Sequence, residues 1–321
     1  MTIKLLSKYR GDGLPPDGNQ ENPFPYKPDS RLVDAVNMTI ALERPLLVKG
    51  PAGCGKTKLA ESIAHELGLD LLKWYVKSDS RARDGLYTID AIRRLQDAQM
   101  KKLEAQSLIP YIRLGYLGNA LLSKDEKSIL LIDEIDKADI DFPNDLLNEL
   151  EEKEFIIEEL PDERNYTDID KKQHQKLDIS FSRVNRATHP PILIITSNDE
   201  KELPEPFLRR CLFHYIEFPS KDHLTEILRI NMNSLKLSVT DKLIEHSINQ
   251  FLKVREIEDF MKKPGTSELI DWVQILYKWE IEPDRLAEDQ SLKNLPHWQV
   301  LFKHQEDFRR FQQTTSSGQP S

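Results

Sequence analysis

Apolar residues in this chain come first as short unbroken runs and later as sets spaced three and four apart. The runs Pro45–Val48, Leu71–Val76, Ile129–Ile132, Ile192–Thr196 and Tyr215–Phe218 predict five strands. Helical patterns separate most of them, and strands alternating with helices predict a parallel sheet built from βαβ units. Just after the first run, Leu59, Ile63 and Leu67 fall four apart and predict a helix over Lys58–Leu67. Beyond Pro219 the runs stop. Three amphipathic helices are predicted near Asp222–Leu235, Asp241–Leu252 and Ser267–Trp279, the last with Leu269, Ile270, Val273, Leu276 and Tyr277 as its apolar set. This change divides the chain into an α/β domain over residues 31–218 and a helical lid over 219–285. A C-terminal helix and flexible tail follow over 286–321, ending in the polar QQTTSSGQPS. The first 30 residues, rich in Pro, Gly, Asp and Asn, predict an extended N-terminal arm outside the core.

Two stretches interrupt the alternation. Residues 80–118 hold a charged helix predicted over Ala91–Gln106, then the run Tyr111 to Gly118. Residues 154–191 place apolar runs at Phe155–Ile157 and Ile179–Phe181 around a long polar stretch. That pattern predicts a β-hairpin whose tip is either a plain solvated loop or a partner-facing one.

The first strand runs into Gly50-Pro51-Ala52-Gly53-Cys54-Gly55-Lys56-Thr57, a complete G-x-x-x-x-G-K-[ST] loop with Lys58 after it. Strand, glycine-rich turn and helix start together make an anion site, because free N–H groups and the helix dipole both point at the turn. Gly53 and Gly55 let the backbone approach phosphates, Lys56 reaches the β- and γ-phosphates, and the Thr57 hydroxyl suits Mg²⁺. The pattern predicts binding of a nucleoside triphosphate.

Three later motifs extend this chemistry. The run Ile129–Ile132 ends in Asp133-Glu134, which in such a site would hold Mg²⁺ through water and orient the attacking water as general base, respectively. Taken alone, an acidic pair after a strand also fits a solvated loop. The next run ends in Ser197-Asn198, where Asn198 would lie by the γ-phosphate or else cap a turn. Arg209 and Arg210 close a short helix before the last strand. One of them suits an arginine finger for an adjacent subunit, and at least one would support the helix C-terminus through its dipole.

Composition narrows the reading further. The 321 residues carry a net charge of −9, which argues against a dedicated nucleic-acid binder. Content of 39% hydrophobic and 31% charged residues is ordinary for a soluble domain. No apolar run approaches the roughly 18 residues of a membrane span, and the start lacks a signal-peptide core. Two cysteines, Cys54 and Cys211, cannot build a disulfide framework, so a cytoplasmic setting is expected. The eight histidines show no metal-binding spacing.

Gly50–Thr57, Leu130–Glu134, Ser197–Asn198 and Leu208–Cys211, in this order, resemble an AAA+ ATPase. The segment TSNDEKELPEPFLRRCLFHYIEFP and the two inserts look like the MoxR branch in particular. The resemblance covers roughly residues 30–285. It implies a five-stranded sheet ordered 5-1-4-3-2, a helical lid, Mg·ATP held between subunits and usually a hexameric ring. It also implies chaperone-like remodelling of a protein partner, often one with a von Willebrand factor A domain. Lys56 and Thr57 match the Walker A positions, Asp133 and Glu134 Walker B, Asn198 sensor 1, and Arg210 the finger better than Arg209. The inserts match the helix-2 and pre-sensor-1 insertions. One departure stands out: Glu268 occupies the place where many relatives carry a sensor-2 arginine, leaving either Lys262 or Lys263 as a substitute or a lid that senses nucleotide weakly. Two other functions remain compatible: a nucleotide-gated scaffold with incidental hydrolysis, and a nucleic-acid translocase.

Overall fold

Five parallel strands form the main sheet: β1 (Leu46–Lys49), β2 (Leu71–Tyr75), β3 (Ile129–Asp133), β4 (Ile192–Ser197) and β5 (Leu212–Tyr215). Their spatial order is β2-β3-β4-β1-β5, which read from the other edge is the expected 5-1-4-3-2. The computed structural model describes residues 8–19, 23–123, 126–176, 181–258, 260–287 and 291–317. The order follows from burial. Ile129–Ile132 and Ile194–Ile195 are completely buried, as unbroken apolar runs must be when covered on both faces, so β3 and β4 take central places. In β2 and β5 only alternate or scattered positions are covered, and both strands lie at edges.

The last strand begins earlier than the apolar run Tyr215–Phe218 predicts. Its ladder with β1 runs from Leu46↔Leu212 to Lys49↔Tyr215. An edge strand has one neighbour, so its length is set by β1, which ends at Lys49. Phe213 and Tyr215 are exposed, and His214 between them breaks the apolar run.

Both inserts contain antiparallel pairs. In the first, Tyr87–Ile89 pairs with Ile112–Leu114. Its helix spans Ala91–Gln99 instead of reaching Gln106, where a separate 3₁₀ turn lies at Leu103–Gln106. The buried Asp97 explains the early stop: the Lys102 N–H donates to its carbonyl at 3.0 Å, and Lys102 Nζ and the Tyr111 hydroxyl donate to its carboxylate at 2.7 and 3.0 Å. Lys101, with φ +55°, makes the turn. In the second insert Glu154–Ile156 pairs with Val184–Arg186, so the second arm lies after the expected Ile179–Phe181. Ile179 falls outside the described residues, and Phe181 is a buried core residue. The polar stretch between the arms includes a helix, Asp168–Lys176.

The chain divides into two compact units. The first comprises Met1–Tyr9, Arg31–Lys49 and Leu67–Tyr215; the second comprises Arg10–Ser30, Gly50–Glu66 and Ile216–Ser321. The first unit holds the sheet and most of the helix α1 (Ser30–Leu42). The second holds α2 (Lys56–Leu67) up to Glu66, with Leu59 and Ile63 completely buried, and the helices α3 (Lys221–Ser234), α4 (Asp241–Glu256) and α5 (Thr266–Lys278). Side chains start two of these helices: Ser220 Oγ accepts from the His223 N–H, and Thr240 Oγ1 from the Leu243 N–H, both at 3.3 Å. Leu295, Leu301, Phe302 and Phe311 share one apolar core with α3, α4 and α5. That anchorage makes the polar Gln312–Ser317, expected as tail, a continuation of the helix α6 (Gln305–Ser317); residues 318–321 lie outside the described part.

Among the described residues 8–19 and 23–29 there is no helix or strand, yet several are packed. Tyr9 is buried and exchanges hydrogen bonds with Asn37 of α1. In the second unit Glu66, 3% exposed near the end of α2, gathers the Arg10 and Gly11 N–H groups on Oε2 at 2.9 and 3.2 Å, and that of Gly13 on Oε1 at 2.9 Å. Gly11 and Gly13 take φ of +69° and +74°, which turns successive N–H groups toward one anion. Glu66→Ala would leave these donors without their acceptor, a loss of roughly 1–3 kcal/mol per buried group. A lower thermal midpoint and faster tryptic cleavage after Arg10 are expected; unchanged cleavage would show that Glu66 does not hold the segment.

Candidate nucleotide site

The glycine-rich loop lies in the second unit and follows β1 directly along the chain. Gly53 and Gly55 have φ of +79° and +93°, so the loop needs glycine at both positions. A side chain at Gly55 would also meet the ring of Tyr26, 3.0 Å from where a Cβ would stand. Lys56 is buried and its Nζ donates to the carbonyl oxygens of Gly50 and Pro51 at 2.7 and 3.0 Å, which bends the ammonium over the loop. Thr57 is half-buried in the first turn of α2, and Lys58 is exposed. Burial raises the Cys54 thiol above its ordinary pKa, only partly countered by Lys56, so this cysteine is no ready nucleophile.

The same unit explains the acid at the sensor-2 place. Glu268 Oε2 accepts from the N–H of Gly265, the residue that caps α5, at 2.9 Å. The preceding Ser267 Oγ donates to the Gly53 carbonyl of the loop at 3.0 Å. Glu268 therefore serves its own helix start, where a carboxylate suits the dipole. Lys262 and Lys263 are exposed.

The acidic residues lie in the first unit, at the carboxyl ends of adjacent parallel strands. Asp133 closes β3 and is 7% exposed. Glu134 follows with φ +59° and ψ +51°, left-handed backbone that costs a non-glycine residue roughly 1–3 kcal/mol and often marks a functional site. Thr196 of β4 organises both acids: its hydroxyl donates to Asp133 Oδ1 at 2.6 Å and accepts the Glu134 N–H at 2.8 Å. Asn198 Nδ2 donates to Glu134 Oε1 at 2.8 Å, and Lys137 Nζ pairs with Oε2. The Glu134 carboxylate raises the Lys137 pKa. An ion pair this exposed contributes at most about 1 kcal/mol, so it holds Glu134 without trapping it.

Asp133, Glu134 and Asn198 are thus brought together in a single hydrogen-bonded set. Sequence reasoning missed two of its members, Thr196 and Asp136. Asp136 is buried and accepts the N–H groups of Asn198 and Glu200 on Oδ2 at 3.1 and 2.9 Å. Their signal was present as the acid two residues after Glu134 and the hydroxyl two before Asn198.

Arg209 and Arg210 stand apart from this set. Arg209 is the more exposed, with Nε 3.3 Å from Glu205 Oε1. Arg210 Nε lies 2.7 Å from Glu151 Oε2, and its guanidinium also donates to the Pro206 carbonyl at 3.0 Å. The carbonyl oxygens of both residues accept from the Arg44 guanidinium, so Arg44 also supplies support at this helix end.

By donor chemistry the residue types suit Mg²⁺ and phosphate groups. Thr57 and Asp133 offer only oxygen, the donor that Mg²⁺ takes alongside water and phosphate oxygens. Among the described residues no three His, Cys, Asp or Glu side chains gather into a metal cage, and no helix is long and apolar enough to cross a membrane.

The family model of the AAA domain, dynein-related subfamily, matches residues 45–211, just over half of the chain. The chaperone protein ClpB of Prochlorococcus marinus is 27% identical over 234 residues, 71% of this chain and 24% of ClpB. Protein CbbQ of Allochromatium vinosum is 37% identical over 57 residues, 18% of this chain and 77% of CbbQ. Among solved structures, the RuvB Holliday junction branch migration motor of Thermotoga maritima gives a TM-score of 0.44 at 17% identity, covering 84% of this chain and 67% of RuvB. The chain spans about a quarter of the length of ClpB.

Proposed function

Since the chain belongs to the AAA domain family, dynein-related subfamily, we propose that it hydrolyses ATP to ADP and phosphate and uses the turnover, in a ring of copies of MoxR type, to remodel a protein partner. The observation that carries the reading is the Asp133–Thr196–Glu134–Asn198 set at the carboxyl edge of the sheet. Beside it on the sheet is β1, from which the glycine-rich loop continues. In this reading the loop N–H groups and Lys56 bind the β- and γ-phosphates. Thr57 and Asp133 would hold Mg²⁺, which would supply charge neutralisation on the phosphate oxygens. Glu134 orients the attacking water and takes its proton, while Asn198 senses the γ-phosphate by leaving or keeping Glu134 Oε1. An arginine of the next copy, Arg210 by its place in the motif, completes the charge stabilisation. A hexamer is the expected ring, and a protein with a von Willebrand factor A domain is a candidate partner.

The test is phosphate release by the purified chain in Mg·ATP as protein concentration rises. Turnover per chain is expected to be Mg²⁺-dependent and to climb as copies assemble. Turnover per chain that stays constant down to monomeric concentrations would remove the ring from the reading.

Glu268 favours a second reading, a nucleotide-gated scaffold, because its carboxylate caps α5 where relatives of MoxR type place an arginine. A partner captured by Glu134→Gln in ATP, and released by ADP exchange alone, would support that reading over remodelling.

A further inference from the structure

The geometry points to Asp136 as a positioning residue that sets the Asn198–Glu134 contact and, through it, the rate of hydrolysis. The inference deepens the ATPase reading and rests on it. Asp136 is 2% exposed and belongs to the 3₁₀ turn Ile135–Lys137 that follows Glu134. One oxygen, Oδ2, accepts the N–H groups of both Asn198 and Glu200. The other, Oδ1, is buried and has no hydrogen-bond partner among the described residues. A carboxylate kept in such a place answers to its two charge-assisted bonds. Those bonds fix the turn after β4, where Asp199 takes left-handed backbone with φ +64° and its N–H donates to Ser197 Oγ at 3.0 Å.

The consequence is a closed loop of contacts. The turn after β3 supplies Asp136, which holds the backbone of Asn198; the side chain of Asn198 returns to Glu134 Oε1 in that same turn. Thr196 closes the other side by bridging Asp133 and the Glu134 N–H. Two turns from adjacent strands are thereby locked in one register, and Glu134 sits at their junction. Asp136 acts through the backbone it holds at Asn198 and Glu200. Displacing a catalytic group by about 1 Å can cost on the order of 10²-fold in rate.

Asp136→Ala is expected to lower kcat by about 10²-fold while KM for ATP moves less than about threefold. Asp136→Asn keeps an acceptor of the same shape, so it should stay within about tenfold of the wild-type kcat. In an Asn198→Ala background, Asp136→Asn should add no further loss, because residues acting through one contact are not additive. Wild-type kcat in Asp136→Ala, a KM rise that accounts for the whole loss, or full additivity with Asn198→Ala would each overturn the inference. Should Asp136→Ala fail to fold, the Asp136→Asn cycle with Asn198→Ala decides it. A wild-type chain that releases no phosphate would instead overturn the proposed function. Asp136 is then judged by amide exchange of Asn198 and Glu200: faster exchange in Asp136→Asn supports it, and unchanged exchange refutes it.

Discussion

Glu134→Gln is expected to lower ATP turnover by about 10²–10⁴-fold while leaving nucleotide binding near the wild-type level. The substitution removes the base and keeps the shape. A glutamine at this position can still accept from Asn198 Nδ2, which lies 2.8 Å from Glu134 Oε1, and the backbone N–H bond to Thr196 is untouched. The ion pair with Lys137 is lost, and that pair is half-exposed. The fold should therefore keep its stability within about 1 kcal/mol of the wild type. Phosphate release and binding of a fluorescent ATP analogue, measured on the same preparation, separate the two effects. Wild-type turnover in the variant would remove Glu134 from the chemistry.

An arginine effect of similar or greater size is expected in trans. Arg210→Ala should lower kcat by about 10³–10⁵-fold at unchanged nucleotide affinity, the usual range for a finger completing a neighbour's site. Arg209→Ala is the necessary comparison, because Arg209 is more exposed while Arg210 carries the ion pair to Glu151. The deeper loss in Arg209→Ala would move the role by one residue. Mixing provides a sharper test. An Arg210→Ala copy retains its own Glu134, and a Glu134→Gln copy retains its own arginines. In an equal, random mixture about a quarter of interfaces would pair an intact base with an intact arginine. Two inactive preparations are then expected to regain activity on mixing. No recovery under conditions where the chains demonstrably co-assemble would place the arginine outside the neighbour's site.

Much of the fold was legible because its evidence is local. Unbroken apolar runs located β1, β2, β3 and β4, and four-residue spacing located α2 and the helices after Pro219. The failures came where a contact outside the run itself decided the element. β5 starts at Leu212 because β1 offers it a ladder ending at Lys49, a constraint invisible in the run Tyr215–Phe218. The helix after Ala91 stops at Gln99 because Asp97 draws back Lys102 and Tyr111. The second hairpin arm sits at Val184–Arg186 because pairing with Glu154–Ile156, and not apolar content, selects it.

By itself the sequence determined the chemistry of single segments. A glycine-rich loop between strand and helix can bind phosphate wherever it occurs, since its N–H groups and dipole are properties of that segment. Likewise Asp133 and Glu134 are carboxylates at the end of an apolar strand in any reading of the residues. Tertiary structure alone decided how those carboxylates are aimed. Thr196, Asn198 and Asp136 lie some 60 residues apart from, or in a different turn to, the groups they hold, and they meet because β3 and β4 pair in parallel with Ile132 beside Ile195. A hydrogen bond extends about 3 Å and carries no trace along the chain, so only the register of two strands could bring its partners into view.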